Sequence, residues 1–221
     1  MISPLVQRFN LNRLGRDFVT GDVHGCFNTL TAELDRLGFD RHVDRLFSVG
    51  DLVDRGPDSA AVVDWLAQPW FHAVRGNHEQ MALDYLTGDL DPDDYLHNGG
   101  AWFMELSLPH RKRIAAQFTV LPVALEVETP SGLVGIVHGD CPFDSWDDLV
   151  AGLSSEDAPV IAEICLSSRE RISAMDDSGV TGVAKVFVGH TPVRKPISLG
   201  NVHYIDTGAV FSHSLTVRQI N

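Results

Sequence analysis

Apolar and polar positions fall in repeating blocks along this chain. Asp17-Phe18-Val19-Thr20, Arg45-Leu46-Phe47-Ser48-Val49 and Phe71-His72-Ala73-Val74 are short runs rich in β-branched and aromatic residues, the pattern of buried strands. A polar, glycine-bearing stretch follows each run, and then apolar residues at helical spacing. These are Leu30, Leu34 and Leu37 in the first unit, Ala60 to Leu66 behind Pro57-Asp58-Ser59 in the second, and Met81, Ala82, Tyr85 and Leu86 in the third. Three strand–loop–helix units predict a parallel βαβ half whose polar loops share one sheet edge.

The later pattern differs. Asn98-Gly99-Gly100 opens a segment with Trp102, Phe103 and Leu106, and Pro109 begins a helix that runs to Phe118. Its Arg111-Lys112-Arg113 run reads as a solvated helix face. Val123 to Glu128 and Leu133 to Val137 flank Thr129-Pro130-Ser131-Gly132 as a hairpin that ends in His138-Gly139-Asp140. Residues 145–175 read as helical, with Trp146, Leu149, Ile161, Ile164 and Leu166 as core. Lys185 to Val188 is a strand ending in Gly189-His190-Thr191-Pro192, and further strand signals lie at 202–205 and 215–217. The expected fold is α/β, two packed mixed sheets flanked by helices. It forms one domain over residues 17–221, preceded by an arm, 1–16, for which the pattern predicts no element.

Composition narrows the function. The chain has 221 residues, 44% of them hydrophobic, enough for one domain with a sizeable core. A formal charge of −13 argues against a nucleic-acid partner, which needs a basic field. No apolar run approaches the ~20 residues of a membrane span, and no secretory signal is apparent at Met1-Ile2-Ser3-Pro4-Leu5. Cys26, Cys141 and Cys165 are an odd count without framework spacing, which predicts free thiols in a reducing, cytoplasmic compartment.

The chemistry lies in the strand-end loops. Gly50-Asp51-Leu52-Val53-Asp54-Arg55-Gly56 places two carboxylates and an arginine at the carboxyl end of a strand, where α/β sheets bind ligands. Asp22 and His24, two apart, point the same way in an extended segment. With Asn77, His78, His138 and His190, these loops offer oxygen and imidazole donors and no thiolate. That set suits a divalent ion such as Mn²⁺, Fe²⁺ or Zn²⁺. It exceeds one tetrahedral site and fits two ions about 3.5–4 Å apart sharing a carboxylate. Arg55 and Arg75 add bidentate phosphate contacts. The other histidines, His42, His72, His97, His110, His203 and His213, read as structural or surface residues, and Trp65, Trp70, Trp102 and Trp146 as core.

Gly21-Asp22-Val23-His24-Gly25, Gly50 to Gly56 and Arg75-Gly76-Asn77-His78-Glu79, in this order, resemble the metallophosphoesterase signature. Together with Asn98-Gly99-Gly100, Arg169 to Ser173, Gly189 to Pro192 and Tyr204 to Phe211, they are similar to the serine/threonine phosphoprotein phosphatases of the bacteriophage-lambda type. The resemblance implies that Asp22 and His24 bind one metal, that Asp51 bridges, and that Asn77, His138 and His190 bind the second. His78 is then the general acid, oriented by Asp54, and Arg55, Arg75 and Arg169 grip the phosphoryl group, with Arg171 a rival to Arg169. The implied enzyme is a monomer with Mn²⁺ as its foremost metal. It hydrolyses phosphorylated proteins or peptides by direct attack of a hydroxide held between the ions. The symmetrical dinucleoside tetraphosphate hydrolases share the metal loops and are the alternative. Asp54 and Glu79 favour the phosphatase.

Overall fold

The computed structural model describes residues 4–211 and 214–221, so His213 lies outside the described residues. The elements run β1 (Val6–Phe9), β2 (Asp17–Thr20), α1 (Phe27–Arg36), β3 (Arg45–Ser48), α2 (Val62–Leu66), β4 (Phe71–Ala73) and α3 (Asn77–Thr87). Helices α4 (Pro92–His97), α5 (Ala101–Met104) and α6 (Leu108–Thr119) lead to the hairpin of β5 (Ala124–Thr129) and β6 (Gly132–Ile136). Helices α7 (Trp146–Gly152), α8 (Ala158–Ser167) and α9 (Glu170–Ala174) precede β7 (Lys185–Val188), β8 (Ile197–Leu199), β9 (Val202–Tyr204) and β10 (Val217–Gln219).

The strands form two mixed sheets. One has the order β10-β2-β3-β4 and the other β1-β5-β6-β7-β9-β8. In the first, β2, β3 and β4 are parallel and β10 runs antiparallel to β2, so the three polar loops leave one edge as the βαβ pattern predicts. Strand alternation then builds the layers. Val19 and Phe47 face the second sheet and meet Leu125, Val127, Ile136 and Phe187 there. Their neighbours Phe18 and Leu46 turn outward onto Phe27, Leu30, Leu34 and Val62. On the far side, Val186, Val188, Val202 and Tyr204 pack under Trp146, Leu149, Ile161 and Cys165. The result is a helix–sheet–sheet–helix sandwich. No helix among the described residues is long and apolar enough to cross a membrane.

Three features depart from the sequence pattern. Residues 6–9 form β1, parallel to β5 from Val6↔Ala124 to Phe9↔Val127. Arg8 pairs there with Glu126, whose other oxygen accepts from Trp146 Nε1 at 3.0 Å. These residues belong to the six-stranded sheet. The tail strand begins at Val217 instead of Leu215, and Leu215 is buried among the helices of the first layer. Ile164 sits on the outer face of α8, 36% exposed, while Cys165 takes the core position.

His72, on β4, lies 4.4 Å from the Phe9 ring and 5.4 Å from Phe47, centroid to centroid. Burial and the nearby Arg45 guanidinium lower its pKa to about 4. A histidine whose folded pKa lies below its unfolded value takes up protons on unfolding, so stability is lost as pH falls from 6.5 toward 4. His72→Gln is expected to flatten that part of the stability–pH curve, measured by urea denaturation at several pH values.

Candidate metal centre and active site

Asp51 is the hub. It sits just past β3 at φ +51°, a left-handed conformation that costs a non-glycine residue about 1–3 kcal/mol. The neighbouring chain enforces it. Its amide N–H and that of Leu52 donate to the Glu79 carboxylate at 3.0 and 2.8 Å, and Gly76 N–H donates to the same group at 2.8 Å. Its carbonyl accepts from Val23 and His24 N–H at 3.0 and 2.8 Å. Loops one, two and three are thus tied through one residue. His24, Asp54, Arg55 and His190 also have positive φ, so five of the six such non-glycine residues among the described ones lie in the candidate site. Backbone strain of this kind concentrates at functional sites.

The imidazoles are aimed by their outer nitrogens. His24 Nδ1 donates to Val53 O at 2.8 Å, His138 Nδ1 to Val49 O at 2.7 Å and His190 Nε2 to Ser167 O at 3.0 Å. Each bond turns the other ring nitrogen inward, as metal-binding histidines require. Asn77 Oδ1 lies 3.0 Å from His138 Nε2 and 2.8 Å from His190 Nδ1. Asp51 divides its carboxylate: Oδ1 is 3.3 Å from His138 Nε2, and Oδ2 is 3.6 Å from His24 Nε2. The donor atoms of His24, Asp51 and His78 form one cluster within 4.8 Å, and those of Asp51, His138 and His190 form another. One carboxylate shared by two clusters is the arrangement of a dinuclear site.

The electrostatics fit that donor set. Burial lowers His24 and His190 to about 4, so both are neutral and basic toward a cation at neutral pH. Burial together with Asp206 and Asp51 pushes Asp22 well above the usual carboxylate range, the signature of clustered buried acids that a cation would relieve. Asp22 lies outside both clusters and sits against Gly189, where a Cβ would lie 2.0 Å from Asp22 Oδ1. Asp22 also accepts from His190 N–H at 3.0 Å.

His78 and Asp54 form a buried dyad. His78 Nδ1 donates to Asp54 Oδ2 at 2.7 Å, and its Nε2 faces Asp51 Oδ2 at 3.9 Å. Burial alone would lower the His78 pKa; Asp51 and Asp54 overcome it and raise the value. Asp54 Oδ1 accepts from Trp102 Nε1 at 2.6 Å and from Tyr95 Oη at 3.3 Å. Trp102, which reads as core from its surroundings in the chain, and Tyr95 therefore hold the dyad. Only Asn98-Gly99-Gly100 hints at this segment: Gly99, at φ +96°, packs against the Arg55 backbone.

The arginines divide. Arg55 is exposed and its Nη1 donates to His24 Nε2 at 2.9 Å. Arg169 is exposed and its Nη2 donates to His190 O at 3.4 Å. Arg171 is turned into the protein. Arg75 departs from the expectation that it grips phosphate. Its guanidinium donates to Gln80 Oε1, Thr119 O and Leu121 O, because the end of α6 presents unpaired carbonyls that a cation satisfies. Cys26, Cys141 and Cys165 are free. Burial pushes the Cys141 thiol up to about 11, which leaves it protonated and inert.

The family model for calcineurin-like phosphoesterases matches residues 18–195. This chain belongs to that family. The calcineurin-like phosphoesterase is 39% identical over 219 residues to serine/threonine-protein phosphatase 1 of Salmonella typhimurium, covering 98% of this chain and 97% of the relative. It is also 29% identical to an asymmetrical bis(5'-nucleosyl)-tetraphosphatase of Bacillus velezensis, over 90% of this chain and 86% of that one. This dinucleotide-cleaving relative is of the asymmetrical class, whereas the alternative that the resemblance offered was the symmetrical one. A solved protein serine/threonine phosphatase from Saccharomyces cerevisiae shares the fold, with a TM-score of 0.62 at 19% identity over 91% of this chain and 70% of that one. Phosphoester hydrolysis and divalent metal dependence follow from the family.

Gly76→Ala tests the geometry of the hub. The added Cβ would lie 2.2 Å from Asp51 Oδ1 and 2.3 Å from Asp51 N, so the carboxylate must move. Calorimetric titration with Mn²⁺ is expected to show loss of at least one binding event in this variant while the circular dichroism spectrum is kept.

Proposed function

We propose that this phosphoesterase is a metal-dependent serine/threonine protein phosphatase, a cytoplasmic monomer acting on phosphorylated proteins or peptides. The observation that carries the reading is the buried His78–Asp54 dyad. A serine or threonine alkoxide is a strongly basic leaving group, so a held proton donor is worth much in its departure. A nucleotide leaving group needs no such help. The phosphatase relatives from Salmonella typhimurium support the same reading.

Asp22, His24 and Asp51 would hold one divalent ion, and Asp51, Asn77, His138 and His190 the second; Mn²⁺ is favoured, with iron or zinc as substitutes. When bound, such a pair supplies Lewis-acid charge and a water of lowered pKa. Arg55 and Arg169 bind the phosphoryl oxygens from the solvent side. His78 Nε2–H gives its proton to the leaving oxygen. Asp54 accepts Nδ1–H throughout, which fixes the tautomer and stabilises the imidazolium form. Trp102 and Tyr95 keep Asp54 in place by donating to its other oxygen.

A second reading, hydrolysis of dinucleoside tetraphosphates, is favoured by the relatives that carry that name. Parallel rates on a phosphothreonine peptide and diadenosine tetraphosphate, with Mn²⁺ and with chelator, separate the two. The phosphopeptide is expected to turn over faster, chelator to stop the reaction, and Asp51→Asn to abolish it. Faster cleavage of the dinucleotide would overturn the phosphatase reading. In addition, His78→Asn is expected to lower kcat on the phosphopeptide by about 10²–10⁴-fold and to lower it far less on p-nitrophenyl phosphate, whose leaving group is weakly basic. Equal losses on both esters would remove His78 from the acid role.

A further inference from the structure

Asp140 stands two residues beyond His138, and Arg171 two beyond Arg169. Neither is a ligand or a phosphate contact in the proposed mechanism. They form an ion pair buried to 4% and 6% exposure. Asp140 Oδ2 accepts from Arg171 N–H at 3.1 Å, and Oδ1 accepts from Arg171 Nε at 3.4 Å and from Cys141 N–H at 2.8 Å. Arg171 Nη1 also donates to Asp176 Oδ2 at 3.1 Å.

The placement is specific. Arg169 is the N-cap of α9, and its own side chain makes no capping bond. Helix starts need an acceptor for their first amides. Asp140 supplies one from the loop of a metal-site histidine, so the start of α9 is fastened to that loop. With Arg171 turned in and held, Arg169 is left on the outer side, where it reaches His190 O. A buried pair adds little net stability, because desolvation offsets its attraction. Its value here is register between two loops.

We propose that Asp140 and Arg171 are positioning residues that set Arg169 against the metal loops for phosphoryl binding. The proposal rests on the reading of Arg169 as a phosphate contact. The test uses Mn²⁺-loaded enzyme, p-nitrophenyl phosphate as substrate and inorganic phosphate as competitive inhibitor. Arg169→Ala and Asp140→Asn are each expected to raise both KM and the inhibition constant of phosphate. For Asp140→Asn the rise is on the order of ten-fold, inside the ~10²-fold that a 1 Å misplacement costs. Mn²⁺ affinity of Asp140→Asn, from calorimetry, is expected to match the unaltered enzyme. In the Arg169→Ala background, Asp140→Asn should change neither constant further.

Multiplying effects in the double variant, or weakened Mn²⁺ binding in Asp140→Asn, would overturn the proposal, because Asp140 would then act through His138 or through stability. An unchanged phosphate constant in Arg169→Ala would also overturn it, while phosphopeptide turnover would leave the phosphatase reading standing. Where Asp140→Asn does not fold, Arg171→Gln in the same cycle decides the matter by the same criteria.

Discussion

The site depends on the backbone of Asp51 being held in a conformation it would not choose. Its N–H, its carbonyl and both carboxylate oxygens are all engaged, toward Glu79, loop one, His78 N–H and the facing imidazoles. An intramolecular hydrogen bond is worth about 0.5–1.5 kcal/mol net. Glu79 receives three, enough to offset a left-handed residue that costs about 1–3 kcal/mol. Glu79 is thus the anchor through which the third loop dictates the shape of the second.

From that anchor the chemistry separates into two halves. On one side, His138 and His190 come from the six-stranded sheet and meet Asn77 from the four-stranded one. On the other, His24 and the His78–Asp54 dyad belong to the four-stranded side alone. The shared carboxylate joins them, so the packing of Phe47 and Val19 against the opposite sheet sets the distances between ligand atoms. Core packing and site geometry are one constraint here, since a packed interface does not deform continuously.

Much of this was legible in the chain. The metal loops follow apolar runs too short to be anything but strands, and acids buried at strand ends are costly unless a cation sits beside them. The fates of the arginines were not legible. Arg75 precedes Asn77 by two residues, yet it turns to the carbonyls that end α6, and nothing local in the sequence says which way it points. Trp102 donates to a carboxylate 48 residues away, and its neighbours Phe103 and Leu106 make it look like core. Strand β1 lacks a clear period because Gln7 and Arg8 are exposed on a sheet edge; only its pairing with β5 identifies it. In each case the deciding partner is distant in sequence.

The pairing of β10 with β2 has a consequence for synthesis. Asn221 accepts from Asp17 N–H across 204 residues, and β10 shields the edge of the sheet that carries the Asp22 and Asp51 loops. While the chain emerges from the ribosome, β2, β3 and β4 can associate early, but β2 keeps an open edge until residues 217–219 appear. Such long-range closure is slow and leaves strand edges exposed in the interim. Metal capture by the nascent chain should therefore wait until residues 217–219 have emerged, His190 and the closing strand arriving within thirty or so residues of each other.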